Sequence, residues 1–118
     1  MIERSATRSK VSLPVLEGTQ RHLESLDELP LMASTYRLLG DPTRLKILLS
    51  LSHAKELCVS DLADILAMDT SAISHQLRKL KDGGLVGSTR EGPIIYYHLV
   101  SDVIREALAT ARSLLIAG

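Results

Sequence analysis

The chain has 118 residues, 45% of them hydrophobic, and a formal net charge of zero. That length suits one compact domain with a modest core. Neutrality excludes a surface that is basic throughout, so a nucleic-acid partner must be met by a local patch of positive charge. Phe and Trp are absent, which leaves Leu, Ile, Val and Ala to build a core of packed helices. Cys58 is the only cysteine, so no disulfide forms within the chain. No run of about 18 apolar residues is present, and Met1-Ile2-Glu3-Arg4 does not begin a signal peptide. The expectation is a cytoplasmic protein with no membrane partner.

Residues 1–12 carry Arg4, Arg8 and Lys10 against Glu3 and read as a flexible N-terminal tail, ahead of a single domain over 13–118. Residues 14–28 suggest a helix with Leu16, Leu23 and Leu26 on its apolar side. A second helix begins near Pro30 and ends at Gly40. Asp41 caps a third, with Pro42 in its first position and Leu45, Leu48, Leu49 and Ser52 on one face, Ile47 and Leu51 beside them. Residues 59–67 predict a short helix with Leu62, Ile65 and Leu66 inward, followed by a turn at Met68-Asp69. Thr70 is read as the cap of the next helix, Ser71 to Asp82, which Gly83-Gly84 ends. Two helices joined by a tight turn are a helix-turn-helix signal.

Residues 85–90 and 94–99 read as strands joined by Glu91-Gly92-Pro93, a hairpin placed where a wing would be. Ser101 caps a last helix over 102–116, whose apolar positions are Val103, Ile104, Ala107, Leu108, Ala111, Leu114 and Leu115. So short a chain leaves little for this helix to cover. It and the helix at 14–28 are expected to pack against a second copy. The fold class is therefore mainly α with a two-stranded β wing, a winged helix-turn-helix that is homodimeric through its N- and C-terminal helices.

The segment 70–81 carries the functional chemistry. Ile73, Leu77 and Leu80 recur at helical spacing and anchor one face. Ser71, Ser74, His75, Arg78 and Lys79 fall on or near the other, with Gln76 on a flank. Short hydroxyls permit close approach to a major groove, His and Gln can bond to base edges, and Arg and Lys neutralise phosphate. Between residues 70 and 90 the cations Arg78, Lys79, Lys81 and Arg90 face only Asp82. Arg90, beside the wing tip, is a candidate for the adjacent minor groove or a phosphate. The candidate DNA-binding set is Ser71, Ser74, His75, Gln76, Arg78, Lys79 and Arg90. A solvated amphipathic helix is the plain alternative for 70–81, and a solvated turn for Arg90.

Several motifs, in order, resemble the ArsR/SmtB family of metalloregulatory transcriptional repressors. They are Leu38-Leu39-Gly40-Asp41-Pro42-Thr43-Arg44-Leu45-Lys46-Ile47-Leu48, Glu56-Leu57-Cys58-Val59-Ser60-Asp61-Leu62-Ala63, and Ser71-Ala72-Ile73-Ser74-His75-Gln76-Leu77-Arg78-Lys79-Leu80. Gly84-Leu85-Val86 and the wing from Arg90-Glu91-Gly92 to Tyr96-Tyr97-His98-Leu99 continue the likeness, which covers about residues 31–100. The resemblance implies a homodimer that binds double-stranded operator DNA and is released by an inducer, often a metal ion.

It also maps metal ligands onto Cys58 and Asp61. Many relatives have a second cysteine two places on, where this chain has Ser60. Further ligands in such sites come from the other subunit's N-terminal arm, where His22 is the only imidazole and Glu17 and Glu24 are weaker donors. The set Cys58, Asp61 and His22 suits Zn²⁺ or another divalent metal. Cys58 as a small half-buried core residue, with Asp61 favoured by the helix dipole, is the alternative. The family's second metal position lies on the C-terminal helix; here Asp102 and Glu106 are present without a histidine, and that site is not expected.

Two further functions compete. One is a repressor with no metal site, answering a redox or other non-metal signal through Cys58, a thiol near a helix N-terminus. The other is a winged-helix protein-interaction module, disfavoured because its face would expose Leu or aromatics. An enzyme is not expected: there is no Gly-rich phosphate loop, and Cys58 has no identifiable base.

Overall fold

A computed structural model describes residues 9–117, with side chains through Ile116. The expected tail over 1–12 therefore lies largely outside the described residues. The chain divides into two compact units, residues 1–34 and 35–118.

In the first unit α1 spans Leu13–Glu24, with Pro14 in its first turn. It stops four residues short of the expected 28. The Ser25 N–H bonds to the Arg21 and His22 carbonyls, and its hydroxyl donates to the His22 carbonyl at 2.6 Å. Serine thus competes with the helix ladder and ends it. Leu13, Val15 and Leu23 are exposed. α2 spans Leu29–Leu39, so the boundary between the units falls within it. Its first bond, Met32 N–H to the Glu28 carbonyl, needs nothing from Pro30, which lacks an N–H.

The second unit holds the core. α3 spans Pro42–Ala54, and the Asp41 carboxylate caps it by accepting from Arg44 N–H. β1 is the pair Leu57–Cys58, α4 spans Val59–Leu66 and α5 spans Thr70–Asp82. β2 (Val86–Glu91) and β3 (Ile94–Leu99) follow, then α6 (Asp102–Ala117). The sheet is antiparallel in the order β1-β3-β2. It has three strands where the sequence suggested two. Leu57 and Cys58 pair with Tyr97 and Tyr96, and two residues leave no alternating pattern to read.

Three turns set the geometry around α5. Ala67 takes a left-handed conformation (φ 55°), and Met68 N–H reaches back to the Ala63 carbonyl at 3.0 Å, a Schellman closure. Asp69, not Thr70, is the N-cap of α5, accepting from Ala72 N–H at 2.8 Å. A carboxylate at that position both accepts the bond and meets the helix dipole. At the far end Gly84 is left-handed (φ 78°) while Leu85 N–H closes on the Leu80 carbonyl. In the wing, Gly92 (φ 61°) precedes Pro93 in a two-residue loop, a turn that demands glycine first.

The core is wholly aliphatic. Ile47, Leu48 and Leu51 of α3, Leu62 of α4, and Ile73, Leu77 and Leu80 of α5 are completely buried. Ala63, Leu85, Val86, Leu99 and Leu108 complete it. No polar or charged residue is buried among the described residues. Leu49 and Ile65, expected inward, are 40% and 56% exposed. At about 100° per residue, Leu49 lies opposite the Ile47–Leu51 stripe, and Ile65 falls off the Leu62–Ala63 sector. Among the described residues of α6 Leu108 alone is buried; Val103, Leu114, Leu115 and Ile116 are at least 70% exposed. No helix among the described residues is long and apolar enough to cross a membrane.

Leu77 stands between α5 and the rest of the core. Leu77→Ala is expected to lower unfolding stability by about 2–5 kcal/mol, from lost burial and the cavity left behind. Urea denaturation followed by circular dichroism measures it; a change under about 1 kcal/mol would show that the site collapses or was never tightly packed.

Candidate nucleic-acid interface

With Ile73, Leu77 and Leu80 inward, helical geometry sends Ser71, Ser74, His75 and Arg78 outward. All four are exposed. Together with Thr70 they line one open depression along α5. Thr70, first read as a cap, joins this face because Asp69 takes the capping position. An aspartate immediately before the helical stripe was the signal for that shift. Lys79 is also exposed, one step around the helix, and does not line the depression.

Gln76 is placed differently. It is half-buried, and its Oε1 accepts a bond from Arg44 Nη1 at 3.1 Å. Arg90 is exposed on the wing, where its Nε donates to the Gly92 carbonyl at 3.2 Å. The wing is fastened to α5 by Lys81 Nζ, which donates to Ser88 Oγ at 2.7 Å. The two lysines of the last turn of α5 thus divide: Lys81 is engaged within the chain, and Lys79 faces solvent.

Cys58 and Asp61 meet at the start of α4. Cys58 is the N-cap and Asp61 the third helical residue. Cys58 N–H donates to Asp61 Oδ2 at 3.0 Å, and Asp61 N–H faces the Cys58 sulfur, the two halves of a capping box. The bond from Cys58 N–H, then the contact with its side chain, holds the Asp61 carboxyl below its usual range. Across the β1–β3 pairing Cys58 faces Tyr96. The Tyr96 phenol is pushed up, first by loss of water and then by the neighbouring Cys58 and the carboxylates of Glu91, Asp61 and Glu56. A thiol and a carboxylate form a donor pair of the kind a borderline-soft dication takes. Among the described residues no three His, Cys, Asp or Glu side chains gather into a metal-sized group within one protomer. His22 is exposed on α1, in the first unit. On α6 the Asp102 carboxylate pairs with Arg105, whose Nε also donates to the Ser52 carbonyl at 3.2 Å.

The profile described as "Bacterial regulatory protein, arsR family" matches residues 41–88, from the cap of α3 into β2. A relative from Synechocystis, a transcriptional repressor SmtB homolog, is 39% identical over 78% of this chain and 69% of its own length. The chain belongs to the arsR family of bacterial regulatory proteins. The family is one of transcriptional regulators, not enzymes. A CadC homolog from Staphylococcus aureus, a cadmium resistance transcriptional regulatory protein, is 38% identical over 68% of this chain and 66% of its own. Among solved structures, a homodimeric winged helix-turn-helix DNA-binding domain from Mycobacterium bovis matches with a TM-score of 0.68 at 25% identity. That match covers 94% of this chain and 90% of the other. The arsR match and the winged fold agree with the order of elements, α4-turn-α5 followed by the β2–β3 hairpin.

The lowered pKa of Asp61 makes its capping bond a pH-dependent contribution to stability. Because the folded-state value lies below the ordinary 3.8, the contribution is complete well above that pH and is lost as the pH falls through the folded-state value. Asp61→Asn is expected to be less stable than wild type at pH 7 in chelator-treated buffer, with the gap closing below about pH 4. Thermal melts from pH 2 to 8 check it; a gap independent of pH would remove the charge from the account.

Proposed function

We propose that this chain is a transcriptional repressor that binds double-stranded operator DNA as a homodimer and releases it when a metal ion such as Zn²⁺ binds. One observation carries the reading: the outer face of α5 holds Ser71, Ser74, His75 and Arg78 on one open surface, with its opposite face locked in the core. A helix held this way is suited to a major groove. Hydroxyl and imidazole groups meet base edges, while Arg78, Lys79 and, from the wing, Arg90 meet phosphate or the neighbouring minor groove. The repressor name of the Synechocystis relative points the same way.

The dimer is supported by unspent apolar surface. α6 exposes Val103, Leu114, Leu115 and Ile116, and α1 exposes Leu13, Val15 and Leu23. Exposed aliphatic side chains in such number are available to an association surface, and the Mycobacterium bovis neighbour is homodimeric. The metal reading rests on the Cys58–Asp61 pair and the cadmium resistance name of the Staphylococcus aureus relative. His22 of the partner subunit would supply a third donor. When bound, a metal would supply a fixed positive charge, and Cys58 and Asp61 would hold it through a thiolate and a carboxylate. Reciprocity then requires DNA to weaken metal binding by the factor by which metal weakens DNA binding.

Binding to a duplex from upstream of the chain's own gene, at two salt concentrations, tests the repressor. A tight site with a steep salt slope is expected; equal affinity for all sequences, or none, would overturn it. Ser74→Ala and His75→Ala are expected to cost operator binding about tenfold while leaving random DNA unchanged. Lys79→Ala is expected to weaken both alike and to flatten the salt slope by about one. If the two kinds of substitution behave identically, the division between base readers and phosphate contacts is wrong.

For the metal, a Zn²⁺ titration against a chromophoric chelator should show Cys58→Ser weakened by more than about tenfold. Equal affinity of the two proteins would remove Cys58 from the ligand set.

A further inference from the structure

We infer that Arg44 is a positioning residue for the DNA-reading helix, and that Gln76 acts through Arg44 rather than as an independent base reader. The inference rests on the proposed DNA-binding function and assigns parts within it.

The reason begins at the corner between α2 and α3. In a continuing helix the Leu38 carbonyl would accept from the N–H four residues on. That residue is Pro42, which has none. The Arg37 carbonyl is likewise at the helix end, met only by the Gly40 N–H at 3.3 Å within the backbone. Both carbonyls need donors. Arg44 supplies them, through Nε to Leu38 at 2.8 Å and Nη2 to Arg37 at 3.2 Å. The cation also sits at the negative end of the α2 dipole.

This leaves Nη1, and it is spent on Gln76 of α5 at 3.1 Å. The backbone of Arg44 is itself pinned by the Asp41 cap at 3.0 Å. One guanidinium therefore ties the end of α2 and the first turn of α3 to the middle of α5, one residue from His75.

The bond also orients Gln76. Arginine has donors only, so the amide must present its oxygen to Arg44, whichever way the two ends are drawn. The oxygen of Gln76 is committed within the chain, on a half-buried flank of α5 that lies outside the depression lined by Ser71, Ser74, His75 and Arg78. A lysine at 44 could not replace this arrangement, because a single ammonium lacks the planar fork that meets three acceptors at once.

The test is a double-mutant cycle on the intact protein. Its probes are a duplex selected by the wild type from a random pool and a random-sequence duplex. Arg44→Met and Gln76→Met should each reduce the preference for the selected duplex by about tenfold, with an unchanged salt slope, since neither removes a phosphate contact. Gln76→Met should cost little more once Arg44 is gone. Arg44→Lys, which keeps the charge, should fall between wild type and Arg44→Met, and it carries the cycle if Arg44→Met does not fold.

A full Gln76→Met effect in the Arg44 variant background would overturn the inference and make Gln76 a reader in its own right. So would variants that melt earlier yet keep the whole preference well below their transitions. Wild-type protein that selects no sequence overturns the repressor reading and this inference with it; selection that survives both substitutions overturns this inference alone.

Discussion

Ile73, Leu77 and Leu80 are fully buried, and everything the outer face of α5 can do depends on that. Burial of each aliphatic side chain stabilises by about 1.5–3 kcal/mol. More to the point, three anchors at helical spacing leave the helix no freedom to roll. The polar residues between them are then displayed in one fixed order. A neutral chain can in this way concentrate cations on one surface without a basic composition. The same anchors join α5 to α3 and α4, so the orientation of its outer face is a property of the whole core rather than of one helix.

Polar connections finish what packing begins. Lys81 reaches Ser88 and fixes the wing to the end of α5, while Arg44 fixes the middle of α5 to the α2–α3 corner. At the other end of α3, Arg105 of α6 donates to the Ser52 carbonyl. α3 therefore carries an arginine contact at each end, one toward α5 and one toward α6. These bonds lie at the surface or are half-buried, where a hydrogen bond adds modestly to stability and strongly to orientation. The core itself holds no polar group among the described residues, so nothing polar competes with its packing.

The start of α4 shows how a capping device and a donor pair can share residues. The Asp61 carboxylate satisfies the Cys58 N–H while Asp61 N–H faces the Cys58 sulfur, and this holds both side chains at the first turn of α4. A local rule of helix termini thus preorganises two groups of complementary softness.

Most of the order of elements was legible in the residues themselves. Asp41-Pro42, the 73–77–80 spacing, Gly84 and Gly92-Pro93 are local signals that the structure follows, whereas Asp69 took the cap read at Thr70 and Ser25 ended α1 early. That Ser71, Ser74, His75 and Arg78 share one exposed face followed from periodicity alone. What required the tertiary structure was whatever depended on partners distant in the chain. β1 exists only through its pairing with Tyr96 and Tyr97. Leu49 and Ile65 are apolar but exposed, because burial depends on which face meets a neighbour. Gln76 turns inward because Arg44, 32 residues earlier, waits for an acceptor. Hydrophobic spacing determines which way a helix faces; only packing decides which of its polar side chains are already taken.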